Sequence, residues 1–80
     1  MSHEICDDYC GRAVQVCTMT LEGCTKACNA SLNGDCGPEY RELYECWATA
    51  DLMCSDFNVA SAASCNELSA AAGDCELGGN

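Results

Sequence analysis

Cations are scarce in this chain. Against thirteen Asp and Glu it sets three basic residues, Arg12, Lys26 and Arg41, for a formal charge of -10. Nucleic-acid binding needs clustered Lys and Arg, so that class is excluded, and an anionic membrane surface is disfavoured for the same reason. No run approaches the roughly 20 apolar residues of a membrane span, so membrane insertion is not expected. One proline, one phenylalanine, one tryptophan and one histidine are present. No Cys-x-x-Cys occurs, which removes the usual redox-catalytic motif. No run alternates polar and apolar residues in the manner of a half-buried strand. Met1-Ser2-His3-Glu4 does not read as a signal peptide.

Large apolar side chains are also few for 80 residues. The hydrophobic fraction of 49% is inflated by Ala and Cys, which carry little area each. A chain this short gains little net stability from its core alone. The ten cysteines supply the missing term. Their number is even and their density is that of a disulfide scaffold, in which each bridge contributes about 2–4 kcal/mol. The expected setting is secreted or otherwise extracytoplasmic and oxidising, the periplasm or cell surface. The alternative is a reduced protein whose thiolates hold Cu(I) or Zn(II), since Cys at i, i+4 on a helix can grip a soft metal jointly.

The expected fold is all-α and disulfide-rich: about four short helices arranged as two antiparallel hairpins. The first helix spans about Glu4 to Cys17. The second spans Leu21 to Leu32, with Thr18 or Thr20 as N-cap and Asn33-Gly34 as stop. The third spans Pro38 to Met53, opened by a proline followed by acids. Its buried stripe is Tyr40, Leu43, Trp47, Ala50 and Cys54. The fourth runs from Val59 or Ser61 to Gly73 or Cys75, capped by Asn58 or Ser61, with Cys65, Leu68, Ala72 and Cys75 as its stripe. A single domain over residues 1–76 and a loose tail over 77–80 follow. One long first helix is a competitor, because Cys6, Cys10, Cys17, Cys24 and Cys28 would share one face. Thr18-Met19-Thr20 and Gly23 weaken it.

The cysteine spacings carry resemblances. Cys6-x3-Cys10 and Cys24-x3-Cys28 resemble the twin motifs of the small Tim chaperones. Cys36-x9-Cys46 and Cys65-x9-Cys75 resemble the twin Cys-x9-Cys motifs of coiled-coil-helix-coiled-coil-helix proteins. Both families occupy the mitochondrial intermembrane space, which is the alternative location. The full order, from Tyr9-Cys10 through Cys17, Cys24, Cys28, Cys36, Cys46 and Cys54 to Cys65 and Cys75, is similar to Cys-rich domains of secreted and lipoprotein-type proteins of myxobacteria. The twin-motif families bridge outer to outer and inner to inner. That resemblance implies Cys6–Cys28, Cys10–Cys24, Cys36–Cys75 and Cys46–Cys65, and leaves Cys17–Cys54 as a staple between hairpins.

Little remains for catalysis. A nucleophile would need a neighbouring base, and His3 is the only histidine. Asp7-Asp8 and Glu42-Glu45 read as surface charge among so many acids, so no enzyme, no cofactor and no metal site is expected. The expected role is a binding, signalling or structural module with a protein partner. Ciliate mating pheromones are likewise small, acidic, helical and Cys-rich, though their spacings differ. Tyr40, Tyr44 and Trp47 form a candidate recognition surface. They lie on adjoining faces of one helix and cannot all be equally buried; in the alternative, Tyr40 and Trp47 are core and Tyr44 is incidental. Asn29-Ala30-Ser31 matches a glycosylation sequon, meaningful only in a eukaryotic secreted protein.

Overall fold

The computed structural model describes residues 3–55 and 59–78. Four helices of equal length dominate: α1 (Glu4–Val16), α2 (Leu21–Asn33), α3 (Gly37–Thr49) and α4 (Asn66–Gly78). Between α3 and α4 lie two short strands, β1 (Met53–Cys54) and β2 (Ala60–Ser61), and a 3-10 turn over Ala63–Cys65.

Local chemistry explains most of the ends. Thr20 stands in extended conformation and its hydroxyl accepts from the Gly23 N–H, so it is the N-cap of α2. His3 precedes α1 in extended conformation, and its backbone N–H donates to Asn29 Oδ1 at 2.8 Å. The His3 ring nitrogen Nε2 lies 3.0 Å from Asn33 Oδ1, so α2 ties down the start of α1. At Gly37 the backbone passes so near α2 that an added Cβ would sit 2.4 Å from the Leu32 carbonyl oxygen. Glycine permits that approach, and Pro38 follows in the first turn of α3.

Five bridges then fix the assembly. Cys6–Cys28 and Cys10–Cys24 join α1 to α2, Cys36–Cys75 joins the N-cap of α3 to α4, and Cys46–Cys65 joins α3 to the 3-10 turn that leads into α4. Within each pair the earlier cysteine meets the later one, so each hairpin is antiparallel. Cys17–Cys54 links the end of α1 to β1. These pairs coincide with the outer-to-outer, inner-to-inner arrangement and its staple.

The strands depart from the sequence reading. The third helix stops at Thr49, not Met53, because Cys54 must leave its axis to come within 5.2 Å, Cα to Cα, of Cys17. Ala50 and Cys54 therefore drop out of the helical stripe. The fourth helix does not start at Val59 or Ser61. Ala60 pairs with Cys54 and Ser61 with Met53, antiparallel, and this pairing overrides helix propensity. Ser61 thus lies in a strand and is no cap; Asn58 lies outside the described residues. At its far end α4 continues through Leu77 and Gly78, which the sequence reading put in the tail; backbone bonding carries the last turn with Leu77 exposed.

The core is unusual in what fills it. Its largest fully buried side chains are Cys6, Cys10, Cys28 and Cys65. Around them pack Ala13, Leu43, Ala72 and three aromatic rings, Tyr9, Tyr44 and Trp47. The Tyr9 ring centre lies 5.1 Å from Tyr44 and 5.3 Å from Trp47, spacings at which ring pairs attract beyond their area. Burial and the neighbouring Tyr44 push the Tyr9 pKa up to about 12. The Tyr9 hydroxyl donates at 2.7 Å to the Ala60 carbonyl, anchoring β2 against α1. Arg12 reaches from α1 to the end of α3, donating Nη1–H to the Trp47 carbonyl at 2.9 Å and Nη2–H to that of Ala50. No basic residue sits in the last turn of α3, so this guanidinium supplies the positive charge a helix C-terminus favours. The Trp47 indole N–H is buried without a partner among the described residues, a local cost.

Candidate functional site: an acidic groove

Around the Cys36–Cys75 bridge three helix ends meet: the C-terminus of α2, the N-terminus of α3 and the C-terminus of α4. Between them opens a groove of about 920 Å³. Asp35, Glu39, Asp74 and Glu76 line it, with Tyr40 and the bridge itself. Among the described residues no Lys or Arg contributes to the wall. Two helix C-termini face this region without basic residues in their last turns. Each adds about half a negative elementary charge, and the positive end of α3 offsets one of them, so the helix ends together add about half a negative charge to the four carboxylates. The groove is therefore net negative on an already acidic protein.

Burial and this acidic setting both act on the neighbouring tyrosines. The Tyr40 pKa is pushed up to about 12, first by desolvation and then by a hydrogen bond to Glu76 and the charge of that carboxylate. Tyr44 is also raised, chiefly by burial; a hydrogen bond with Ser31 works against the shift and Glu76 adds to it. Both phenols stay neutral at physiological pH, so Tyr40 offers an uncharged ring beside carboxylates. A ring face beside carboxylates suits a Lys or Arg side chain.

The expected aromatic recognition surface does not form as such. Tyr44 and Trp47 are buried, at 9% and 8% exposure, because Tyr9 of α1 packs against both rings. Tyr44 also stands at 5.6 Å from Trp47 and 6.2 Å from Tyr40. Only Tyr40 is half-open and lines the groove. The reading with Tyr40 as core and Tyr44 incidental is thus reversed. In the sequence the four groove carboxylates are indistinguishable from general surface charge by type alone. Their signal is adjacency: Asp35 precedes Cys36, and Asp74 and Glu76 flank Cys75, so pairing those cysteines gathers them.

The other candidates are dispersed. Asp7, Asp8, Glu42 and Glu45 are exposed, and Glu45 makes only a 3.9 Å contact with Arg41. His3 is engaged by Asn29 and Asn33. The thiolate-metal alternative requires reduced cysteines, and all ten are bridged. Among the described residues no three His, Cys, Asp or Glu side chains gather as a metal-holding group, and no helix is long and apolar enough to cross a membrane. No protein-family model, curated protein or solved structure matches the chain.

Proposed function

We propose that this is a non-enzymatic module, secreted or otherwise extracytoplasmic, that acts by docking a cationic segment of a partner protein into the acidic groove. Signalling and structural roles both use such docking. The observation that carries the reading is the convergence of Asp35, Glu39, Asp74, Glu76 and the neutral Tyr40 ring around one bridge. The five disulfides suit an oxidising compartment. One of them, Cys36–Cys75, ties the α3 and α4 walls of the groove together before binding, which lowers the ordering cost of association. A net charge of -10 would steer a basic partner from a distance, with an on-rate that falls as salt rises.

Calorimetric titration tests it. A Lys/Arg-rich peptide and an acidic peptide of equal length are titrated into the protein at low and high salt. Binding of the basic peptide alone is expected, weakened by salt. A groove variant, Asp35→Asn, Glu39→Gln, Asp74→Asn and Glu76→Gln, should lose it. A variant with equal charge removed elsewhere, at Asp7, Asp8, Glu22 and Glu42, should keep most of it. Equal loss in the two variants would mean that only net charge matters, and the groove reading would fall.

A further inference from the structure

The five bridges differ sharply in what can reach them. Cys6 and Cys28 are at most 1% exposed, so their bridge is sealed at both ends, and Cys10–Cys24 and Cys46–Cys65 offer an attacking thiol only the half-buried Cys24 and Cys46. In the fourth, Cys36 is buried, and Cys75 is half-buried behind the groove carboxylates, which repel an incoming thiolate anion. Cys54 is the one exposed cysteine of the ten. It lies in β1, on a two-residue strand whose neighbours Met53 and Ser55 are exposed as well. A shallow concavity lined by Arg12, Gln15, Val16, Asp51 and Leu52 holds one cation and one acid, in contrast to the four carboxylates of the groove.

We propose that Cys17–Cys54 is a redox-cleavable tie between the two hairpins, opened selectively by a dithiol reductant while the four intra-hairpin bridges stay closed. Exchange begins when a thiolate of the dithiol attacks the Cys54 sulfur. The Cys17–Cys54 bond breaks, a mixed disulfide forms on Cys54, and Cys17 leaves as a thiolate and takes a proton. The second thiolate of the reductant then attacks its partner sulfur in the mixed disulfide. It closes the reductant's own disulfide and releases Cys54, which is protonated in turn. Two electrons and two protons pass to the protein, and the dithiol is oxidised. Attack on Cys54 is the open route, because Cys17 is only 6% exposed.

Topology gives the cut its meaning. Cys17–Cys54 is the only bridge that crosses from the α1–α2 hairpin to the rest of the chain. Breaking it leaves each hairpin riveted twice. The aromatic contacts of Tyr9 and the two Arg12 hydrogen bonds still hold α1 on α3. What loosens is the hold of residues 51–54 on the end of α1, where Val16 is already 41% exposed and Leu52 half-buried, while β1 stays paired to β2 and β2 stays bonded to Tyr9. The reduced state is thus a folded protein with a larger apolar surface at one end.

Stepwise reduction of the native chain with dithiothreitol, quenched by alkylation and mapped by peptide mass, decides it. Cys17 and Cys54 should be alkylated first, at least about tenfold faster than any other pair, since buried bridges must wait for local opening. Helical circular dichroism should be unchanged at the two-thiol stage. A different pair opening first, or all five opening in one step, overturns the proposal. In a second arm, Cys17→Ser/Cys54→Ser should release no thiols during the interval in which the native chain yields two; release at the native rate also overturns it. Should that variant fail to fold, the order of alkylation in the native chain decides alone.

Discussion

Removing one oxygen atom from Tyr9 probes both the fold and its electrostatics. The Tyr9 hydroxyl donates to the Ala60 carbonyl at 2.7 Å, and Ala60 is fully buried. Ser55 N–H donates to the Val59 carbonyl, so by antiparallel alternation the Ala60 carbonyl points away from β1, toward Tyr9. Tyr9→Phe keeps the ring contacts and strands that carbonyl without its partner. The cost at neutral pH is about 1–3 kcal/mol. The alkaline limb gives an independent check. An unfolded tyrosine ionises near its ordinary value of 10, whereas folded Tyr9 keeps its proton until about 12. Its contribution is therefore complete below pH 10 and is lost as pH rises through 12. A rise of about two pKa units corresponds to about 2–3 kcal/mol lost by the native chain and not by the Tyr9→Phe variant. The two stability curves, measured by guanidinium unfolding from neutral pH to pH 12, should start about 2 kcal/mol apart and converge. A gap that stays constant to pH 12 would refute the buried-phenol account. A gap under about 0.5 kcal/mol at neutral pH would refute the hydrogen bond.

Other positions give sharper yes-or-no results in the same unfolding assay. Arg12→Ala should cost about 1–2 kcal/mol by uncapping α3, and Arg12→Lys should restore only part, since an ammonium cannot fork to the Trp47 and Ala50 carbonyls in the same way. Gly37→Ala should destabilise by about 1–3 kcal/mol, because its methyl group meets the Leu32 carbonyl; a neutral result would show that the α2–α3 turn can relax. Thr20→Ala should lose about 1 kcal/mol of cap energy, whereas Arg41→Ala should change stability by less than about 0.5 kcal/mol, its ion pair being long and exposed. In the loop-entropy picture, Cys17→Ser/Cys54→Ser should lower stability by about 4 kcal/mol, because no other bridge shortens its 37-residue span.

Helices were legible because their signals are local. Thr20, Gly34 and Pro38 mark ends that any four-residue window can read. The β1–β2 pairing was not, since nothing in Met53-Cys54 or Ala60-Ser61 alternates or turns in a recognisable way; a bridge to Cys17 and a hydrogen bond from Tyr9 hold these residues, and both come from α1. Periodicity placed Tyr40, Leu43 and Trp47 on one face but could not rank Tyr44, whose burial depends on Tyr9 thirty-five positions earlier. The groove was hidden for a related reason. Its carboxylates are distant in sequence, and only the Cys36–Cys75 partnership makes neighbours of Asp35 and Glu76.

A core filled by cystine sulfur and three rings has a thermal consequence. Heat capacity rises on unfolding in proportion to the apolar surface newly wetted. Here that surface is small from both sides. The folded interior holds few large aliphatic chains, with Leu43 the one deeply buried leucine among the described residues. The denatured chain, still fastened at five places, stays compact and keeps part of its surface dry. The stability curve should therefore be shallow and broad, with weak curvature toward both cold and heat. A protein built this way holds its shape across a wide span of temperatures.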